Sequence, residues 1–216
     1  MKKRDCAEEL CSLIREGTSP FHAVSVAERR LREQGFESLS LKRSWQLEKG
    51  GRYYVSVGES TLFAFTVGDG WNGQEGFRIA AAHTDFPGLR VKQHAEMIRG
   101  NYGQLNVEVY GGAILNTWLD RPLSVSGRVA LKSDDVFRPQ TRLVDLKKPY
   151  FIIPNLAIHL NREVNKGTEL NRQKEILPIA VVGKEQLTDH FFRKLLAEKL
   201  EVEPDEILDY EMGLYN

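Results

Sequence analysis

The chain contains little cysteine, no excess charge and no long apolar segment. Among its 216 residues are two cysteines, Cys6 and Cys11, on what the pattern predicts to be one helix. That spacing places the thiols on different faces, too far apart to form a disulfide or to chelate one metal. Thirty basic residues balance thirty acidic ones, which indicates neither nucleic acid nor a membrane as a partner. No apolar run is long enough to cross a bilayer, and the charged N-terminus is unlike a signal peptide, so we expect a cytoplasmic protein.

The first third of the chain carries clear helix and hairpin signals. A hydrophobic share of 41% supports a core for one large domain or two modest ones. Residues 5–16 have helical spacing, and a second helix is predicted to begin with Ser19 as its N-cap and Pro20 in its first position. Two β-rich runs, 52–57 and 61–67, predict a hairpin. Helices followed by strands are typical of an α/β layer.

The apolar run Phe77–Ala82 ends abruptly in polar residues. It has the length of a buried strand, and Pro87-Gly88 closes it with a turn. His83 and Asp85 are therefore predicted at the C-terminal end of a strand, where ligands collect in open α/β sheets. A histidine there can bind zinc through one ring nitrogen while a carboxylate orients the other. The spacing fits direct ligation by both residues, or a ligand with its orienting partner.

After residue 90 the chain changes character. Short strands with glycine and proline turns predominate up to residue 182, which predicts a second, all-β module. The tail then predicts a helix capped by Thr188, with another short element from Val202. The strands predicted in the module are residues 104–109, 123–131 and 175–182.

Two motifs in the second module allow both a structural and a functional interpretation. Asp120 and Arg121 follow paired glycines and a tryptophan. They could form a tight turn with capping hydrogen bonds or an ion pair, or Asp120 could face a substrate or metal. His159 lies in an apolar context, where a lone histidine is more often a core residue than a catalyst. Spacing alone does not decide either case.

Taken together, six motifs in their order and separations resemble the aspartyl aminopeptidase family of dinuclear zinc exopeptidases. The resemblance runs from the first helix to the last residue. The motifs are Ser19-Pro-Phe-His-Ala23, Ala82-His-Thr-Asp85, Tyr110-Gly-Gly112, Trp118-Leu-Asp-Arg121, Ser126-Gly-Arg-Val129 and Leu156-Ala-Ile-His-Leu-Asn-Arg162. One departure is Pro122, where the family usually has an acidic residue.

The resemblance implies an α/β fold in two parts. Residues 1–90 would be the N-terminal part of the α/β zinc-peptidase domain. Residues 91–216 would be an inserted β-rich dimerisation domain with a C-terminal helical segment. His83 is similar to the family's first zinc ligand and Asp85 to the carboxylate that orients it. His159 resembles a histidine that reaches the neighbouring subunit's active site, to bind substrate or stabilise the developing oxyanion.

Most of a dinuclear zinc site has no counterpart in this sequence. Two zinc ions require a bridging carboxylate, further ligands and a general-base glutamate. The only adjacent glutamates, Glu8 and Glu9, lie on the opening helix and are unlike the family's pair. In the family these residues follow the dimerisation domain, and this chain resembles the first half of such an enzyme.

The resulting hypothesis is a zinc aminopeptidase that removes N-terminal, preferably acidic, residues from peptides. The chain would form homo-oligomers through its β-rich domain, supply at most one clear zinc ligand and be inactive by itself. Two alternatives stay open. The chain could be one half of a split enzyme whose second polypeptide carries the remaining ligands, or a truncated, non-catalytic relative that acts in assembly or regulation.

Overall fold

The chain folds into two compact units that divide between Asp85 and Phe86. A computed structural model describes residues 3–74, 76–183 and 187–216. The sequence-based boundary at residue 90 falls inside the first strand of the second unit, Gly88–Arg99. The identity of the units as a peptidase part and a dimerisation domain stays a prediction. No helix in the described ranges has the length and apolarity needed to span a membrane.

The first unit contains two helices and a three-stranded sheet. Its sheet has the order β1-β2-β3, in which β2 pairs parallel with β1 and antiparallel with β3. The predicted hairpin is confirmed, and the centre of β2 is buried. The elements are α1 (Lys3–Glu16), α2 (Pro20–Glu33), β1 (Glu37–Ser38), β2 (Arg52–Val57) and β3 (Thr61–Thr66).

Helix α2 begins where its sequence predicts. The Ser19 hydroxyl accepts a hydrogen bond from the backbone N–H of His22 at 3.3 Å and lies 2.8 Å from that residue's Nδ1. Pro20 occupies the first helical position, where its missing N–H costs nothing. Both cysteines of the neighbouring helix α1 are free and exposed.

The predicted strand over residues 77–82 is wrong. The segment has no strand pairing, and its residues are exposed, with Phe77 at 84% and Ile79 at 81%. A strand needs a neighbouring backbone for its hydrogen bonds, and no described strand pairs with this segment. β3, which precedes this segment in the chain, is an edge strand with one side unpaired. Residues 77–82 therefore have the apolar composition of a buried strand, but no described strand lies beside them to bury them.

The second unit is built on one six-stranded antiparallel sheet. Its order is β7-β6-β9-β4-β5-β8, so the last strand of the chain lies in the interior of the sheet. Short 3-10 helices lie at Leu115–Trp118, Val164–Lys166 and Pro204–Glu206. The other elements are β4 (Gly88–Arg99), β5 (Tyr102–Tyr110), β6 (Ser124–Leu131), β7 (Gln140–Asp145), β8 (Ile179–Val182), α3 (Phe191–Leu200) and β9 (Ile207–Tyr215).

The tail differs from its prediction in two ways. The predicted helix is present, but it begins at Phe191 after His190, which has a positive φ of 61°, and Thr188 is not its cap. The short element predicted from Val202 is a 3-10 helix, Pro204–Glu206, followed by the nine-residue strand β9, which was not predicted to be a strand. Helix α3 buries Phe192 and Leu196 completely in the core of this unit.

Tyr210 on β9 fixes an irregularity in β4. The register between β4 and β5 shifts between Val91 and Glu96. The Tyr210 hydroxyl lies within hydrogen-bonding distance of the carbonyl oxygens of Lys92 and Gln93 there, at 3.2 and 2.9 Å. Burial, with a contribution from the Glu96 carboxylate, raises the pKa of Tyr210 from 10.0 to about 12. The hydroxyl therefore remains a donor throughout the physiological pH range.

Gly127 is required where β6 pairs with β9. A Cβ atom built at this position would lie 2.0 Å from the carbonyl oxygen of Glu211, an atom of the neighbouring backbone. The strand itself would have to move to admit any side chain. The glycine of the Ser126-Gly-Arg-Val129 motif is thus explained by close backbone approach.

We predict that Gly127→Ala lowers the free energy of unfolding by about 1–3 kcal/mol or more, because overpacking forces backbone shifts. Gly213→Ala is the matched control, since a Cβ there would meet Leu89 O at 3.8 Å, an ordinary contact. Urea denaturation of both variants measures the difference. Equal stability of the two variants would contradict this account.

Candidate active site

His83 and Asp85 are brought together at the end of the first unit. The His83 Nδ1 atom lies 2.5 Å from the backbone carbonyl oxygen of Asp85 and 3.3 Å from its carboxylate Oδ1. A carbonyl oxygen can only accept, so Nδ1 carries the proton and donates it. The imidazole is thereby held in the tautomer whose other nitrogen, Nε2, has its lone pair available for a metal. The ring is 79% exposed.

The turn that carries these residues is attached to the β-hairpin. The Thr84 hydroxyl donates to the carbonyl oxygen of Ser60 at 2.8 Å, and Ser60 lies directly before β3. This bond holds the residue between His83 and Asp85 in place, although no strand precedes it. The local sequence could not predict this hydrogen bond, because Thr84 and Ser60 are 24 positions apart.

The chemistry of this pair fits one corner of a zinc site. A neutral imidazole oriented by a hydrogen bond at its second nitrogen is a common zinc ligand. A complete site needs three or four protein ligands. Within the described ranges, no group of three or more His, Cys, Asp or Glu side chains could hold a metal ion. The residues present therefore fit a single ligand with its orienting partner and do not fit a dinuclear centre.

His159 belongs to the second unit and lies on its surface. It occupies a turn in which the carbonyl oxygen of Ala157 accepts from the N–H groups of Leu160 and Asn161, at 2.8 and 3.1 Å. The neighbouring Leu156 and Ile158 are also exposed. The interpretation of His159 as a satisfied core histidine is therefore wrong, and its imidazole is accessible to a partner or a ligand.

Asp120 is engaged in long-range hydrogen bonds, and not in the local capping bond that the tight-turn interpretation predicted. Its backbone has a positive φ of 57°, and its Oδ1 accepts from the N–H of Asn155 at 2.9 Å. Its own N–H donates to the carbonyl oxygen of Ile153, also at 2.9 Å. The side chain is engaged with the segment that leads to His159. The sequence did not reveal this link, because its two ends are 35 residues apart.

A family model described as "Aminopeptidase I zinc metalloprotease (M18)" matches residues 13–216, nearly the whole chain. The chain belongs to the M18 aminopeptidase family. This confirms the resemblance to aspartyl aminopeptidases drawn from the six motifs, and the family is one of zinc metalloproteases.

Curated relatives match this chain over about half of their own length. A probable M18 family aminopeptidase 2 of Clostridium novyi (strain NT) is 44% identical over 211 residues, which cover 97% of this chain and 49% of the relative. A protein of the same name from Ectopseudomonas mendocina (strain ymp) is 42% identical over 219 residues, covering 99% and 50%. The chain thus spans about half the length of the curated relatives it matches.

Solved structures confirm the predicted α/β fold. A chain in the cryo-EM structure of the Ape4 and Nbr1 complex superposes with a TM-score of 0.92 at 32% identity, over 99% of this chain and 44% of that chain. Chaetomium thermophilum mApe1 gives a TM-score of 0.87 at 28% identity, over 97% and 50%. The S. cerevisiae mApe1 dodecamer gives 0.79 at 27% identity, over 98% and 48%.

The orientation of His83 predicts its tautomer. We expect two-dimensional 1H–15N NMR at pH 8 to show His83 protonated on Nδ1. Asp85→Ala should keep this tautomer, because the closer acceptor is the backbone carbonyl and not the carboxylate. A His83 ring protonated on Nε2 in the unmodified chain would contradict the geometry. Loss of the Nδ1 proton in Asp85→Ala alone would assign the acceptor role to the carboxylate.

Proposed function

We propose that this chain provides the N-terminal half of a zinc aminopeptidase that removes N-terminal residues, preferably acidic ones, from peptides. The observation that carries the proposal is the hydrogen bond from His83 Nδ1 to the Asp85 carbonyl oxygen, which presents Nε2 as a ligand. Family membership supports the reaction class. The acidic preference rests on the resemblance to aspartyl aminopeptidases.

Each candidate residue has a role in this proposal. His83 would hold one of two zinc ions through Nε2, and Asp85 would keep the imidazole oriented through its carbonyl and carboxylate oxygens. When bound, zinc supplies Lewis-acid activation of water and of the peptide carbonyl. His159 of a neighbouring subunit would donate a hydrogen bond to the oxygen on which negative charge develops. Its exposure on a surface turn supports such a role in trans.

The remaining zinc ligands would come from a second half, equivalent to the part of the M18 relatives that this chain does not match. We propose that this half is either a separate polypeptide or a continuation of the same chain. The single ligand pair and the half-length match both support this. The exposed apolar segment 77–82 and the open edge of β3 provide surface that further strands could cover. The chain by itself would then be catalytically silent.

We further propose that the β-rich second unit mediates homo-oligomerisation and that the protein functions in the cytoplasm. The unit has its own buried core, so it can act as an independent assembly module. The similar S. cerevisiae mApe1 is a dodecamer.

A second candidate function is non-catalytic. The second unit has a complete core, whereas the first unit offers a single ligand pair. These features also suit a chain that joins assemblies of related enzymes and catalyses no reaction itself. A catalytic test with a supplied second half separates the two functions.

The test combines the purified chain with the C-terminal half of the Clostridium novyi relative and zinc. We expect hydrolysis of an aspartyl peptide by the mixture and none by either component alone. A chelator should abolish the activity and added zinc should restore it.

His83→Ala should lower kcat/KM more than about a hundredfold, because it removes a ligand. His94→Ala, a change at an exposed histidine of β4, should stay within about twofold.

Several results would contradict the proposal. Hydrolysis and stoichiometric zinc binding by the isolated chain would show that it is not silent. A stable mixed complex that binds zinc without hydrolysing any peptide would favour the assembly function. Faster cleavage of a leucyl peptide than of the aspartyl peptide would refute the acidic preference alone.

A further inference from the structure

We infer that Asp120 is a positioning residue, which sets the base of the loop that presents His159. We call residues 154–161 the His159 loop. The structural part of the inference rests on the second unit alone. Its consequence for catalysis rests on the proposed function of His159.

The His159 loop leaves a rigid part of the unit. Phe151 and Leu123 exchange backbone hydrogen bonds at 2.9 and 3.1 Å, and Ile153 forms a parallel bridge with Leu119. Phe151 is buried and Ile153 has no exposed surface. The chain then becomes exposed from Pro154 onwards. The loop's starting direction is therefore set within one or two residues of Ile153.

Asp120 holds this starting point from two sides. Its N–H donates to Ile153 O and its Oδ1 accepts from Asn155 N, each at 2.9 Å, so one residue clamps the peptides on both sides of Pro154. The hydrogen bonds described for residues 156–160 are local ones, to Asn155 Oδ1 and Ala157 O. Among the described residues, the Asp120 carboxylate thus makes the last link between the unit and the loop before His159.

The residue type suits this role for two separate reasons. Asp and Asn tolerate a positive φ better than most residues, because their short polar side chains bond locally. A side-chain oxygen at the δ position, bonded to Cγ, is needed to accept from the N–H of Asn155. Asp120→Asn keeps both properties, whereas Asp120→Gly still permits the positive φ, lacks the acceptor and gives the backbone more conformational freedom. The two variants therefore separate the acceptor from the backbone requirement.

Amide hydrogen exchange of the full chain, followed by NMR, tests the inference. We expect the Asn155 amide of Asp120→Gly to exchange about three- to tenfold faster than in the unmodified chain, because its hydrogen bond is lost. Exchange of the β6 amides should be unchanged, and Asp120→Asn should stay within about twofold at Asn155. Unchanged Asn155 exchange in Asp120→Gly, or an equal increase throughout β6, would overturn the inference.

A double-mutant cycle tests whether Asp120 acts through His159. In the complemented, zinc-loaded assembly, Asp120→Gly should lower kcat about tenfold with little change in KM, since a displaced group loses its alignment with the reacting atoms. In a His159→Ala background the same change should have no further effect. Additive effects would overturn an action through His159. An assembly without peptidase activity would refute the proposed function instead, and the exchange result would still decide the structural claim.

Discussion

The pairing of β6 with β9 is the constraint on which the second unit depends. β9 is the last strand of the chain and lies between β6 and β4 in the sheet. The sheet is therefore incomplete until residues 207–215 have been added, and the close approach of Glu211 O leaves no room for a side chain at Gly127. This long-range pairing holds Tyr210 against the irregular part of β4. It also supports β6, whose neighbouring segment 119–123 carries the base of the His159 loop.

Both units expose large apolar side chains, but the buried core of the second unit is the larger. The second unit buries a continuous core under helix α3. The first unit has a sheet whose two outer strands, β1 and β3, each have one unpaired side, and an extended apolar segment with no described strand as neighbour. Exposed apolar surface of this kind is what the second half would cover in the proposed function. The candidate zinc ligand lies directly after that segment, so the proposed partner would both cover the apolar residues and complete the metal site.

Local features could be predicted from the sequence, and features with long-range causes could not. The start of α2 depends on Ser19 and Pro20 alone, and the hairpin of β2 and β3 depends on adjacent residues. Segment 77–82 has the composition of a strand, but pairing needs a neighbour that composition cannot supply. β9 was predicted only as an unspecified short element from Val202. The register shift near Ile207 makes the start of the strand irregular, whereas buried residues alternate regularly from Tyr210 to Leu214. The proximity of His83 and Asp85 follows from their spacing, whereas the link from Asp120 to Asn155 requires the folded sheet.

We propose that this chain holds one corner of a dinuclear zinc site and needs a second half to complete it. Native mass spectrometry in the presence of zinc measures this directly, by counting ions on the chain alone and on its complex with the C-terminal half of a relative. The account predicts no retained zinc on the isolated chain and two ions for each pair of halves. Two ions retained by the isolated chain, or no complex between the halves, would contradict it.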